Sequence, residues 1–148
     1  MRDSRTQESV AGSTWLLERV RAEPDVQKQF IYRCQPTRFQ PKLVMQYLQR
    51  IARFREKLAV LVHIVGGQPS RAPELLSLQH INTETNRRRN IFIEDRMVTL
   101  VSVYHKGFYA SNDIKVIHRY ILQEVGKLLV WYLWLVLPFV QQLEMWYY

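Results

Sequence analysis

The chain has 148 residues, of which 47% are hydrophobic and 12% aromatic, and this is enough apolar material for a packed core. Its formal net charge of +8 favours an anionic partner such as nucleic acid or an acidic membrane face, although a solvated basic surface has the same composition. Its single cysteine excludes an intrachain disulfide and fits a reducing, intracellular compartment. The N-terminal segment lacks the apolar stretch of a secretory signal peptide.

The N-terminal segment predicts two short helices. Residues 13–33 have a helical pattern of apolar side chains, in which Ser13 or Thr14 is the expected N-cap and Pro24 divides the pattern. The second helix should end at Pro36, because proline cannot continue a helix.

The clearest predicted helix covers residues 41–65. Pro41 suits its first turn, where the missing N–H has no partner, and Gly66 and Gly67 should end it. Its apolar face consists of Val44, Leu48, Ile51, Leu58, Leu61, Val62 and Val65. Its opposite face carries three basic residues, Arg50, Arg53 and Lys57. This basic stripe is either a solvated helix face or a set of phosphate contacts.

Three strands are predicted in the second half of the chain. Residues 91–94 and 97–104 are rich in β-branched and aromatic side chains and predict a hairpin. Residues 114–121 alternate apolar and polar side chains and predict a third strand. We expect one antiparallel sheet, with Lys106 in the turn between the second and third strands.

The C-terminal segment predicts a strongly apolar helix over residues 124–145. Its apolar run ends at Val140 and is interrupted by Pro138, so it should be too short to span a bilayer, and a membrane partner is not expected. The residues expected to pack on the rest of the chain are Leu129, Tyr132 or Leu133, and Val136. The residues expected to meet a protein partner are Trp131, Trp134 and Trp146.

Together these elements predict an α+β fold that is mainly α, with a short three-stranded antiparallel sheet flanked by helices. We expect residues 1–40 to form a loosely ordered tail with short helices. Residues 41–148 should form one truncated domain.

The stretch GGQPSRAPELLSL, residues 66–78, places Arg71 at the start of a short helix, three residues before Glu74. A planar guanidinium there is able to hold a phosphate through two hydrogen bonds, or to pair with Glu74 or Asp95. The order of long helix, glycine pair, R-x-x-E helix, three strands and apolar helix resembles the first half of the tyrosine recombinase catalytic domain. The resemblance implies that Arg71 binds a phosphate, that Glu74 braces the local structure, and that Lys106, in YHKG, reaches the same phosphate.

The later elements of recombinase chemistry do not match this sequence. His118 and Arg119 are adjacent and lie on a predicted strand, whereas the family has a His-x-x-Arg box followed by a tyrosine nucleophile. No G-x-x-x-x-G-K-[ST] phosphate loop is present, and the four histidines have no metal-ligand spacing. We therefore expect no enzyme activity, no catalytic residues, no cofactor and no metal site.

A more specific resemblance covers about residues 40–146. The sequence from GGQPSRAPELLSLQHINTETNRRRNIFIEDRMVTLVSVYHKG to LPFVQQLEMW resembles a region upstream of the motor in fungal telomere-linked RecQ-type helicases. This resemblance implies a nuclear, DNA-associated parent, without the motor and hence without helicase activity.

The sequence therefore predicts a nuclear, non-catalytic DNA-binding fragment. The expected phosphate contacts are Arg71, Lys106, Arg87, Arg88 and Arg89, with Arg50, Arg53 and Lys57 on the long helix. The alternative is an interaction or structural module whose aromatic C-terminal helix docks on another protein.

Overall fold

The computed structural model describes residues 8–32, 35–67, 75–82, 88–104 and 115–147. In this part of the chain the fold is α+β and mainly α, with a three-stranded antiparallel sheet flanked by helices, as predicted.

The elements follow one another as α1 (Glu8–Ala22), α2 (Pro24–Phe30), β1 (Ile31–Tyr32), β2 (Gln35–Phe39), α3 (Pro41–Val65), β3 (Ile91–Glu94), β4 (Met97–Tyr104), β5 (Lys115–Ile121), α4 (Gln123–Trp131), a π-helical turn (Tyr132–Val136) and α5 (Leu137–Tyr147). The chain forms two compact units. The first unit is Met1–Glu56 with Val130–Tyr148, and the second unit is Lys57–Leu129. The division at residue 40 stays a prediction.

The core of the first unit is built around Phe139, which is only 2% exposed. The rings of Phe30 and Tyr47 approach it edge to face, with centroids 6.1 and 5.6 Å away, and lie 5.3 Å from each other. Edge-to-face contacts of this kind stabilise a core beyond the burial of apolar area. The other buried members of this cluster are Val20, Ile31, Val44 and Leu143.

Helix α1 begins at Glu8, so the prediction that Ser13 or Thr14 caps it was wrong. Both residues lie within the helix, where each lowers helix stability by only about 0.5 kcal/mol relative to alanine. Gly12 of α1 is buried against the indole of Trp134, and a Cβ at this position would overlap that ring. Glycine therefore allows α1 to approach the π-helical turn closely.

Helix α2 ends at Phe30, and the chain continues as a strand pair where we predicted helix up to Pro36. Strands β1 and β2 pair antiparallel, with Ile31 opposite Phe39. Gln40 holds this end in place: its backbone N–H donates to the carbonyl of Phe30 at 2.7 Å, and its Nε2 donates to the carbonyl of Ile31 at 2.8 Å. These bonds from distant residues replace the helical bonds that local periodicity predicted.

Helix α3 has the predicted bounds, Pro41–Val65. The backbone N–H of Val44 donates to the carbonyl of Gln40 at 3.0 Å, which is the first i→i+4 hydrogen bond at the N-terminus of the helix. At the other end Gly66 donates to the carbonyl of Val62 at 3.0 Å, and Gly67 has a φ of +85°, which glycine adopts without a steric penalty.

The predicted apolar face of α3 is correct at Val44, Leu58 and Val62, which are buried. The prediction was wrong at Leu61, which is exposed. Consecutive helical residues are about 100° apart around the axis, so Leu61 falls outside the arc that Val62 occupies.

The second unit contains the sheet β3–β4–β5, whose strands pair antiparallel in chain order, as predicted. Its covered face carries Val98 of β4, opposite Ile121 of β5, and both are buried. Gly126 of α4 lies directly on Val98, where an added Cβ would come within 3.1 Å of Cγ2. Gly66, at the end of α3, lies next to Ile121 on the same face. Two helix segments therefore cover this face.

The β3–β4 hairpin closes through a two-residue turn at Asp95 and Arg96, which have φ values of 47° and 65°. Two consecutive positive φ angles are typical of a type I′ turn, whose twist matches that of the flanking strands. The turn thereby fixes the register in which Glu94 pairs with Met97.

The C-terminal helix is continuous from Gln123 to Tyr147, which confirms the helix predicted over residues 124–145, including Pro138. A proline within an α-helix clashes with the carbonyl four residues earlier and lacks an N–H to donate to it. Here the π-helical turn directly precedes Pro138, and its wider hydrogen-bonded ring accommodates the proline. Of the residues predicted to pack, Leu129 and Tyr132 are buried.

Candidate nucleic-acid interface

The basic face of α3 is exposed at all three predicted positions. Arg50 and Arg53 belong to the first unit, and Lys57 is the first residue of the second. Among the described residues, ion pairs join Arg19 to Glu23 at 2.8 Å and Lys28 to Asp25 at 3.1 Å.

Arg50 and Arg53 therefore pair with no carboxylate in the part of the chain that the structure describes. Their guanidinium groups are available to an external anion. An exposed guanidinium binds phosphate without first giving up an internal partner.

Arg50 is also one of the residues that line a groove of about 530 Å³ in the first unit. The groove is lined by Gln29, Phe30, Leu43, Gln46, Tyr47 and Arg50. Burial raises the pKa of Tyr47 to about 12, so its hydroxyl is protonated at neutral pH and able to donate a hydrogen bond.

We expect Tyr47→Phe to reduce the loss of stability at alkaline pH. Tyr47 has a pKa of about 12 in the folded chain and 10.0 when unfolded, so its contribution is complete below pH 10 and is lost as the pH rises through about 12. Because Tyr47 is only half-buried, we expect the parent chain to lose on the order of 1–2 kcal/mol more unfolding free energy at alkaline pH than Tyr47→Phe does. Urea unfolding at about pH 9 and about pH 11 measures it.

Tyr32→Phe is the matched control for this experiment, because Tyr32 is an exposed tyrosine of the same unit. Its alkaline loss of stability should equal that of the parent chain. An unchanged alkaline loss in Tyr47→Phe would show that the hydroxyl is not buried in the folded chain.

Arg88 and Arg89 lie just before β3 and are exposed. The guanidinium of Arg89 lies over the ring of Phe92, 5.6 Å from its centroid. The backbone N–H of Arg89 donates to Asn82 Oδ1 at 2.8 Å. The neighbouring Asn90 receives a hydrogen bond at 2.6 Å from the N–H of Gln79. These bonds fix the backbone that carries the two arginines.

The open face of the sheet, in the second unit, is a separate candidate surface that sequence reasoning did not find. Phe92 of β3 pairs with Thr99 of β4, and Thr99 pairs with Tyr120 of β5, so the three side chains form one row across the sheet. Phe92 and Tyr120 are exposed, whereas Thr99 between them is fully buried.

Tyr120 is oriented by Glu94. Its hydroxyl donates to Glu94 Oε2 over 3.4 Å, and because Glu94 is on β3, the ring of Tyr120 reaches across β4. The negative charge of Glu94 raises the pKa of Tyr120, and partial burial, the hydrogen bond and Asp95 add to the effect.

Four residues of the predicted site lie outside the described residues: Arg71, Glu74, Arg87 and Lys106. The expected proximity of Arg71 and Lys106 therefore stays a prediction. The sequence predicts that this short helix runs from Arg71 to about Leu78; Leu75 and Leu76 are helical, whereas Ser77 is a turn residue and Leu78 is not helical.

The three tryptophans predicted to meet a protein partner are all exposed and all belong to the first unit: Trp131, Trp134 and Trp146. Two of them have partners within this unit. Trp134 lies on Gly12, and the ring of Trp146 has the ring of Phe39 at 4.6 Å and the guanidinium of Arg21 at 5.8 Å. Trp131, at 59% exposure, is the most accessible of the three.

By length and composition, the helix Gln123–Tyr147 is able to cross a membrane, and it is the one helix in the described ranges that meets this test. The uncharged run within it extends from Leu128 to Leu143 rather than ending at Val140, and the expectation that this segment does not span a bilayer stays a prediction. A core helix passes the same test, and this helix supplies Phe139 and Leu143 to the core of the first unit.

The described residues contain no group of three or more histidine, cysteine, aspartate or glutamate side chains placed to hold a metal ion. His118 lies on β5, as predicted, where it pairs with Val101.

The chain matches no protein-family model, no curated protein and no solved structure. The relationships to tyrosine recombinases and to RecQ-type helicases therefore stay predictions.

Proposed function

We propose that this chain is a non-catalytic DNA-binding module that holds the phosphate backbone through exposed guanidinium groups. The observation that carries the proposal is the outward face of α3, where Arg50 and Arg53 are exposed and pair with no described carboxylate. The formal net charge of +8 supports an anionic partner.

Phosphate is the anion that this arrangement favours. Arg50 and Arg53 are separated by one helical turn and so lie on the same side of α3. A polyanion with regularly spaced charges meets both residues, and each contact releases counterions from the nucleic acid. A nuclear location follows from the resemblance to telomere-linked helicases and is part of this proposal.

We expect Arg50→Gln combined with Arg53→Gln to flatten the salt dependence of DNA binding. Each lost phosphate contact lowers the slope of log K against log salt concentration by about one, so the double variant should lose about two. Fluorescence anisotropy with a labelled oligonucleotide, at several salt concentrations, measures the slope.

Arg19→Gln is the matched control, because it removes one positive charge from the same unit at a residue already paired with Glu23. It should leave the slope nearly unchanged. The single variants Arg50→Gln and Arg53→Gln should each lose more slope than Arg19→Gln does. If all three lose the same amount, the effect comes from net charge alone and not from contacts on α3. Binding without any salt dependence would contradict the proposal.

The second candidate is a protein-interaction module, and the exposure of Trp131 favours it. A large aromatic side chain that is 59% exposed on an apolar helix is typical of residues that a partner covers. Docking of this kind buries apolar area and should depend little on salt. A salt-insensitive complex that Trp131→Ala weakens would support this candidate over DNA binding.

A further inference from the structure

We propose that the open face of the β3–β4–β5 sheet binds single-stranded nucleic acid by stacking two bases, one on Phe92 and one on Tyr120. This inference rests on the proposed function and names its ligand more closely. It uses a different surface, which lies entirely within the second unit.

The first step is the geometry of the row. Phe92 and Tyr120 stand on the two outer strands, on either side of Thr99. Since neighbouring strands are about 4.8 Å apart, the two backbone positions are separated by roughly 10 Å. Successive bases along one strand of a duplex are only about 3.4 Å apart. The ring of Tyr120 reaches across β4, so the two rings are nearer to each other than these backbone positions, and an unpaired strand, whose bases are free to spread, fits the row better than a stacked duplex.

The second step is the chemistry of the two rings. Every base has a π-face, and stacking on an aromatic side chain requires that face to be free, as it is in a single strand. Phe92 and Tyr120 are both exposed on the open face of the sheet, and the Tyr120 hydroxyl makes one long contact, 3.4 Å, with Glu94 Oε2.

The third step is charge. Arg88 and Arg89 precede β3, and the guanidinium of Arg89 lies 5.6 Å from the centroid of the Phe92 ring. Because Arg89 occupies one face of this ring, a base has to stack on the other face, and a phosphate adjoining that base meets a cation. Glu94 and Asp95, at the far end of β3, repel phosphate. This charge difference along β3 places the backbone of the strand at the Arg88–Arg89 end of the face.

The experiment measures binding of the full chain to a labelled oligothymidylate, to the corresponding oligouridylate and to a DNA duplex. Phe92→Ala and Tyr120→Ala should each weaken binding of the single strands roughly tenfold and change duplex binding little. Phe92→Trp should retain or strengthen single-strand binding, because it keeps an aromatic face. The single strand that binds more tightly identifies the natural ligand as DNA or RNA.

Val116→Ala is the matched control, since Val116 is an exposed apolar residue of β5 on the same face but has no ring. It should leave binding unchanged. If the two aromatic changes leave single-strand binding unchanged, or weaken it no more than Val116→Ala does, the stacking inference is wrong. The proposed function would survive that result if the α3 variants still flatten the salt slope, whereas failure to bind any of the three probes would overturn both.

Discussion

Replacing Phe139 by alanine should lower the free energy of unfolding by about 3–5 kcal/mol. Phe139 is 2% exposed and contacts the rings of Phe30 and Tyr47 edge to face, so its loss removes two aromatic contacts and leaves a cavity. The cavity cannot close easily, because Phe30 and Tyr47 belong to two different helices, α2 and α3. Urea unfolding followed by circular dichroism measures the loss.

Trp131→Ala is the control for this experiment. Trp131 is on the same C-terminal helix but is 59% exposed, so its replacement should change the free energy of unfolding by less than about 1 kcal/mol. If the two substitutions have equal effects, the C-terminal helix is not packed through Phe139. The membrane-crossing potential of the helix would then become the better explanation of its apolar sequence.

The corresponding change in the second unit, Ile121→Ala, should cost about 2–5 kcal/mol. Ile121 is 1% exposed and pairs with the buried Val98 on the covered face of the sheet. The loss of its side chain opens a cavity beside Gly66, at the end of α3. Thermal unfolding and urea unfolding should both report the destabilisation.

Val116 provides a matched comparison on the same strand, because it is 55% exposed and lies on the opposite face. Val116→Ala should cost less than about 1 kcal/mol. If Val116→Ala cost more unfolding free energy than Ile121→Ala, the covered and open faces of the sheet would be wrongly assigned. The surface proposed to stack bases would then be part of the core.

Local sequence was sufficient to predict α3 and the three-stranded sheet. Helix α3 combines a proline in its first turn, an apolar face and a glycine pair at its end, and all three signals agree with its observed bounds. The strands β3 and β4 are rich in β-branched residues and flank a two-residue turn. In such segments the local preference and the tertiary structure favour the same conformation.

Local sequence failed where residues distant along the chain decide the structure. Helix α2 ends at Phe30 because Gln40 takes the carbonyl groups of Phe30 and Ile31, and periodicity contains no sign of such bonds. The C-terminal helix itself was predicted, but the π-helical turn that accommodates Pro138 within it was not.

The candidate site divides in the same way. The exposure of Arg50, Arg53 and Lys57 was predictable, since helical spacing alone places them opposite the apolar face. The row of Phe92, Thr99 and Tyr120 was not, because it depends on the register of three strands. The available signal was the alternation of side chains along each strand, which places Phe92 and Tyr120 on the faces opposite to those of Ile93 and Ile121. Only the pairing shows that the two aromatic residues share one face.

The π-helical turn at Tyr132–Val136 also bears on how this chain should be aligned with relatives. A π-helical hydrogen bond spans one residue more than an α-helical bond, so the turn contains one residue more than a regular helix needs. A homologue that lacks one residue here would keep α4 and α5 in place as a single regular helix. A one-residue alignment gap inside this helix, rather than in a loop, would therefore be compatible with the same positions of α4 and α5 in the homologue.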